Sequence, residues 1–160
     1  MSWYYEGKGL VSPPENAIGF IYRIDNLSKN KFYIGKKEFQ HKTNPEISKK
    51  KYESLKKEGV AVTKTKNKNL STKDKIVWRY KRKNHIVGSD WETYCGSNDV
   101  LKADIANGDK IKKTILKFCY SKQELTLKEV EELFKEQVLY LCNSYNANIL
   151  GKFFKQKKCE

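Results

Sequence analysis

Two tyrosines set in matching apolar contexts, Gly19-Phe20-Ile21-Tyr22 and Phe32-Tyr33-Ile34-Gly35, are the residues of this chain best placed to do chemistry. The segment between them, Asp25-Asn26-Leu27-Ser28-Lys29-Asn30, is rich in turn formers, and its flanks alternate as strands do. A β-hairpin would stand the two phenols side by side, an arrangement suited to phosphate esters. Hydrolysis of a phosphodiester needs a group that takes or orients the proton of water, a Lewis acid for the oxygen charge and a cation near the phosphate. Tyrosine is also a good strand and core residue, so the pair by itself admits a packing role.

Cations follow directly. Lys37 shares the face of Tyr33 four residues earlier, whereas Lys36 faces the other way while the strand continues. Of the arginines Arg23, Arg79 and Arg82, the first sits beside Tyr22 and points to the opposite face. Arg79 and Arg82 belong to Trp78-Arg79-Tyr80-Lys81-Arg82-Lys83-Asn84-His85, a basic run interleaved with aromatics that suits a phosphate backbone. Arg79, flanked by Trp78 and Tyr80, is the first choice and Arg82 the second, although a solvated basic face explains such a run as well. His41 and His85 are further candidates for proton transfer.

The carboxylates compete on one helix. Thr126-Leu127-Lys128-Glu129 has capping-box spacing, which would consume Glu129 at a helix start; Ser121 with Glu124 is an earlier box that would free it. Glu131 lies on a stripe with Leu127, Phe134 and Val138, where an inward carboxylate would need a reason.

Phe20-Ile21-Tyr22 followed by Tyr33-Ile34-Gly35 resembles the signature of the GIY-YIG nuclease family, with the first glycine displaced to Gly19. Ser89-Asp90-Trp91, Tyr94, Gly96-Ser97, Leu101, Ile115-Leu116, a late glutamate-rich helix and Tyr145-Asn146-Ala147-Asn148-Ile149 follow the order of its small, phage-type endonucleases. The resemblance covers residues 17–41 and 88–150 and omits 42–87. It implies DNA hydrolysis by a tyrosine, an arginine and one glutamate-bound divalent metal, Mg²⁺ or Mn²⁺. Tyr22 would then be the base or the group that orients water, its phenol acidified by the metal and nearby cations. Tyr33 would position phosphate or share a proton relay, and Lys37 with Arg79 or Arg82 would supply positive charge. Glu129 has the family position for the metal ligand, with Glu131 as fallback, and Asn146 or Asn148 would hydrogen-bond within the site. The family's arginine position falls on Thr43. Lys36, Lys42, Lys81, Lys83 and His85 are expected to contact DNA.

A formal charge of +14 on 160 residues predicts strong, salt-sensitive attraction to a polyanion. The length suits one domain, 1–160, with a lysine-rich insert at 42–87. Residues 1–16 read as an aromatic-bearing arm, Ile47, Tyr52 and Leu55 suggest a helix ending at Gly59, and Lys64 to Lys75 reads as a mobile loop. Asn98 or Ser97 can cap a helix ended by Asn107-Gly108, residues 111–119 read as a strand, and Val130, Leu133, Phe134, Val138 and Leu141 recur at helical spacing. The expected fold is α+β, a small three-stranded antiparallel sheet flanked by helices. The four cysteines have no metal-ligand spacing and read as reduced thiols. With no long apolar segment or secretory signal, the expected protein is an intracellular, cytoplasmic enzyme of the kind a phage encodes in its bacterial host. It would act as a monomer that nicks or as a homodimer assembled on DNA. The competing expectation is a non-catalytic basic nucleic-acid-binding protein.

Overall fold

The computed structural model describes residues 2–43, 45–60, 62–67, 75–80 and 86–155. In chain order the elements are β1 (Trp3–Tyr5), β2 (Lys8–Gly9), β3 (Gly19–Asn26), β4 (Lys31–Glu38), β5 (Gln40–Lys42), β6 (Glu46–Ile47), α1 (Lys49–Lys57), β7 (Val62–Asn67), β8 (Lys75–Tyr80), β9 (Ile86–Gly88), α2 (Asp99–Ala106), β10 (Ile111–Cys119), α3 (Lys122–Lys135), β11 (Asn148–Ile149) and β12 (Phe153–Phe154). They form two compact units, Met1–Phe39 with Asp90–Glu160, and Gln40–Ser89.

The first unit is α+β. Its five-stranded sheet has the order β2-β1-β10-β3-β4. The antiparallel trio β10, β3 and β4 forms one end of it, with β4 at the edge, and the amino-terminal segment, expected as an arm, adds β1 parallel to β10 and β2 beyond it. Trp3 explains the addition: it is buried, and its indole N–H donates to the Trp91 carbonyl at 2.6 Å. Both faces of the sheet are covered. Trp3, Phe20, Tyr22, Ile24, Leu101 and Phe118 pack on one side, and Ile21, Ile34, Leu125, Leu133, Val138 and Ile149 on the other. Each such side chain contributes about 2 kcal/mol on burial. The central strand β3 is therefore buried almost continuously from Gly19 to Ile24. A Cβ on Gly19 would fall 2.4 Å from the Lys37 carbonyl oxygen, so the close approach of β3 and β4 there requires a glycine.

Local signals set the helices of this unit. Asn98 caps α2 through its side-chain oxygen, which accepts from Leu101 N at 2.9 Å. Ser121 caps α3 by accepting from Glu124 N, and the Glu124 carboxylate reaches back to Tyr120 N. Of the two capping boxes the earlier is used, and Glu129 is freed from the helix start. The helix ends at Lys135, with Gln137 at φ +49°, so Val138 and Leu141 lie beyond it rather than within it. Beyond that turn the chain runs along the open edge of β4: Phe32 N donates to Asn143 O at 2.9 Å, and Tyr145 N to Phe32 O at 2.8 Å. An otherwise unpaired strand edge is thereby covered.

The second unit holds the lysine-rich segment. It comprises the β5–β9 pair, a three-stranded sheet β6-β8-β7 and helix α1, capped by Ser48 and followed by Gly59 at φ +75°. Residues 64–67, expected in a loop, belong to strand β7, where Val62 and Thr63 join alternating lysines and threonines against β8; residues 68–74 lie outside the described residues.

Cys95 and Cys119 are free thiols. Cys142 is disulfide-bonded, a correction to the expectation of reduced thiols throughout, since bridging depends on Cα geometry that spacing does not encode. Cys159 lies outside the described residues. Among the described residues no helix is long and apolar enough to cross a membrane.

Candidate active site

The hairpin register builds the first part of the site. Tyr22 pairs with Gly35, Ile24 with Tyr33 and Phe20 with Lys37, so Tyr22, Tyr33 and Lys37 share one face. Gly35 is what lets the phenols meet, because a Cβ there would lie 2.6 Å from Tyr22 Oη. The Tyr22 ring lies over that bare backbone, with centroids 6.1 Å from Tyr33 and 5.9 Å from Tyr94. Tyr33 shares a 2.8 Å hydrogen bond with Ser97. A bulge in β10 between Ile115 and Lys117 falls directly beside Tyr22 and Ile21 in the ladder.

The carboxylate arrives from the other face. On α3, Leu125 and Leu133 are buried against Ile21 and Ile34, and Glu129 lies midway between them on the same stripe. Its side chain is 18% exposed, and its Oε2 is 3.0 Å from Lys36 Nζ, which also donates to Thr126 Oγ1 at 3.0 Å. The expected stripe was one step out of phase. Leu127 and Phe134 are exposed, and Glu131 is paired with Lys128 on that outer side at 2.6 Å. Tyr33 and Glu129 line one cleft of about 370 Å³, closed by Ser97, Asn98, Asn146, Asn148 and Leu150.

Electrostatics tie the two faces together. The Tyr22 phenol, 1% exposed, is pushed well above its ordinary pKa by burial, then by Tyr33, Tyr94 and the Glu129 charge. Burial also raises Tyr33, while its hydrogen bond with Ser97 opposes the rise. The protein's own groups therefore favour the neutral Tyr22 phenol, and the expected acidification would have to come from a bound metal. Below pH about 10 the phenol is protonated in both folded and unfolded chains, and the shift leaves stability unchanged. Above it only the unfolded chain ionises at this residue, so stability falls as pH rises. Tyr22→Phe should flatten this alkaline loss in urea midpoints measured between about pH 9 and 11.

The family model described as "putative endonuclease segE, GIY-YIG domain" matches residues 3–149. The chain belongs to the GIY-YIG endonuclease family, in its phage-type segE branch. No curated protein and no solved structure matches it. Membership implies a nuclease, and a nuclease domain implies DNA as substrate.

Within this GIY-YIG domain the remaining candidates divide between the units. Lys37 is held by Asp90 at 2.5 Å and lies 3.9 Å from the centroid of the Tyr94 ring, beside the tyrosine cluster. Arg23 pairs with Asp25 and Glu136 and covers Phe32 on the other face, which makes it part of the scaffold. Arg79 belongs to the second unit, on β8 opposite Glu46, whose carboxylate it binds at 2.6 Å; Trp78 beside it lies 6.5 Å from Tyr52 of α1. His41 and Lys42 are exposed on β5. Arg82, Lys81, Lys83 and His85 lie outside the described residues. Among the described residues no three acidic, histidine or cysteine groups converge as a metal cluster.

The two asparagines have structural partners as well as cleft positions. Asn146 is buried and grips Ile34 from both sides of its amide, accepting from Ile34 N at 3.0 Å and donating to Ile34 O at 2.8 Å. The Asn148 side-chain oxygen accepts from Gly151 N at 2.8 Å. Asn146→Ala leaves two backbone groups of β4 unpaired beside the site and is expected to cost about 2 kcal/mol in a denaturant titration. Sequence reasoning did not assign Tyr94, Ser97 or Thr126 to the site. Only Tyr94 and Ser97 carried a signal, as positions within the family resemblance.

Proposed function

We propose that this protein is a divalent-metal-dependent DNA endonuclease whose reaction takes place in the Tyr33–Glu129 cleft. The observation that carries the proposal is Glu129 itself, a carboxylate between two buried leucines that turns toward a cleft shared with a phenol. Burying such a charge is costly unless a cation compensates it, and Lys36 does so here. The donor set also fits a hard cation such as Mg²⁺ or Mn²⁺, which is content with one carboxylate, amide oxygens and water. Glu129 would hold it, with Lys36 giving way. When bound, the cation would supply Lewis-acid stabilisation of phosphate oxygens and a charge opposing that of Glu129 on the tyrosines.

The chain's own residues do the rest. Tyr33, held by Ser97, meets the substrate at the cleft and orients phosphate or the attacking water. Tyr22, neutral and buried behind it, orients the attacking water through the phenol pair, because a phenol that keeps its own proton cannot accept another. Lys36 and Lys37 bring positive charge from the two faces of β4. Arg79 or Arg82 is proposed to supply a further phosphate contact, and the lysines of the 42–87 segment, with Lys42, Lys81, Lys83 and His85, the grip on the DNA backbone. One such site cuts one strand at a time, so the working form is a monomer that nicks or a homodimer assembled on DNA in the cell interior.

The near-complete burial of Tyr22 favours the second reading, a basic nucleic-acid-binding protein in which the tyrosines only pack. Supercoiled, linear and branched DNA incubated with the protein in Mg²⁺ or in chelator separates the two. The nuclease converts supercoiled to nicked DNA in Mg²⁺ alone; retention of intact DNA on a gel in both conditions would establish the binder instead.

A further inference from the structure

We propose that Phe154, on the hairpin at the rim of the cleft, is a stacking platform for an unpaired nucleobase beside the scissile phosphate. The domain would then prefer DNA carrying an extruded or unpaired base. This inference rests on the nuclease reading of the cleft.

The hairpin register provides the argument. Asn148 pairs with Phe154 and Ile149 with Phe153, and residues directly opposite on antiparallel strands share a face. Ile149 is buried in the core under α3, and Phe153, half exposed on the same face of the hairpin, meets the exposed ring of Phe134 at 5.9 Å between centroids. Asn148 lines the cleft, which sets Phe154 beside it on the open face. Phe154 is 64% exposed and has no ring partner among the described residues. A solitary aromatic ring next to a polar cleft is what sequence-tolerant binding of unpaired bases requires, since every base has a π-face.

The support is stiff. Lys152 N donates to Ile149 O at 3.0 Å, closing a tight turn in which Leu150 has φ +54° and Gly151 φ +66°. A bulky leucine in the left-handed region is unusual, and such conformations gather at ligand clamps. Here the turn directs Leu150, half exposed, into the same cleft as Glu129 and Asn148. Lys155 N continues the ladder to Ala147 O at 2.9 Å, and Lys155 Nζ is anchored on Ser144 O at 2.9 Å. Charge selects the occupant. Exposed Lys152 stands in the turn, and a chain of net charge +14 attracts a polyanion and repels a second copy of itself.

The test uses the full chain in chelator, so that no strand is cut, with DNA bearing 2-aminopurine either at a single-base bulge or within a paired duplex. Anisotropy reads binding and fluorescence reads stacking. The wild type is expected to quench the bulged probe about twofold or more on saturation and the paired probe little. Phe154→Ala should bind the bulged DNA about tenfold more weakly without quenching it, duplex affinity unchanged, and Phe154→Tyr should behave as wild type. Saturating binding with undiminished fluorescence, or quenching that survives in Phe154→Ala, would overturn the stacking role and leave the nuclease reading intact. Absence of binding to either DNA would overturn both.

Discussion

Tyr22→Phe is expected to fold, to bind DNA with wild-type affinity and to cut it about 10²- to 10⁴-fold more slowly, the range typical of groups that move or orient a proton. The ring stays where Trp3, Tyr33 and Tyr94 hold it, and only the hydroxyl over Gly35 is lost. Single-turnover cleavage with excess protein isolates this step from product release. Tyr33→Phe should lose a comparable factor, because it removes the phenol that lines the cleft and its bond with Ser97. Should Tyr22→Phe cut at the wild-type rate while Tyr33→Phe does not, Tyr22 is a packing residue.

Glu129→Gln is expected to remove cation-dependent cleavage with little change in DNA affinity. The amide keeps the shape and the place between Leu125 and Leu133 but gives up the charge. It also releases Lys36 from its ion pair. Helix stability should change little, because Ser121 and Glu124 provide the cap. Glu131→Gln serves as the control. That carboxylate is paired with Lys128 on the exposed side, and its loss should leave cleavage unchanged.

Much of this architecture was legible in the residues because local chemistry decides it. Turn formers between matching strands give the hairpin, and Asn98 and Ser121 stand among the cap candidates, although Ser97 competes for the start of α2 and the Thr126 box for that of α3 until packing decides. The phase of α3 was harder. Leu125 and Leu133 form one apolar stripe, Leu127 and Phe134 another, and only packing against Ile21 and Ile34 selects the first. That choice turns Glu129 inward and Glu131 outward. Lys36 was correctly assigned to the face opposite Tyr33, but its pairing with Glu129 depends on the helix that covers that face. The burial of Tyr22 comes from distant contributors, Trp3 on β1 and Tyr94, and β1 joins the sheet through a parallel, non-local pairing that leaves no local signature. Arg79 follows the same logic in reverse: a basic, aromatic-flanked run reads as a phosphate contact, while its register opposite β6 gives the guanidinium Glu46 as an ion partner.

The most direct test of the account is single-turnover cleavage of supercoiled DNA by wild-type protein and by Glu129→Gln, each in Mg²⁺ and in chelator, with binding measured on the same samples. The account predicts nicked product from the wild type in Mg²⁺ alone, and none from Glu129→Gln despite equal binding. Cleavage by Glu129→Gln at the wild-type rate in Mg²⁺ would contradict it, as would cleavage by the wild type that persists undiminished in chelator.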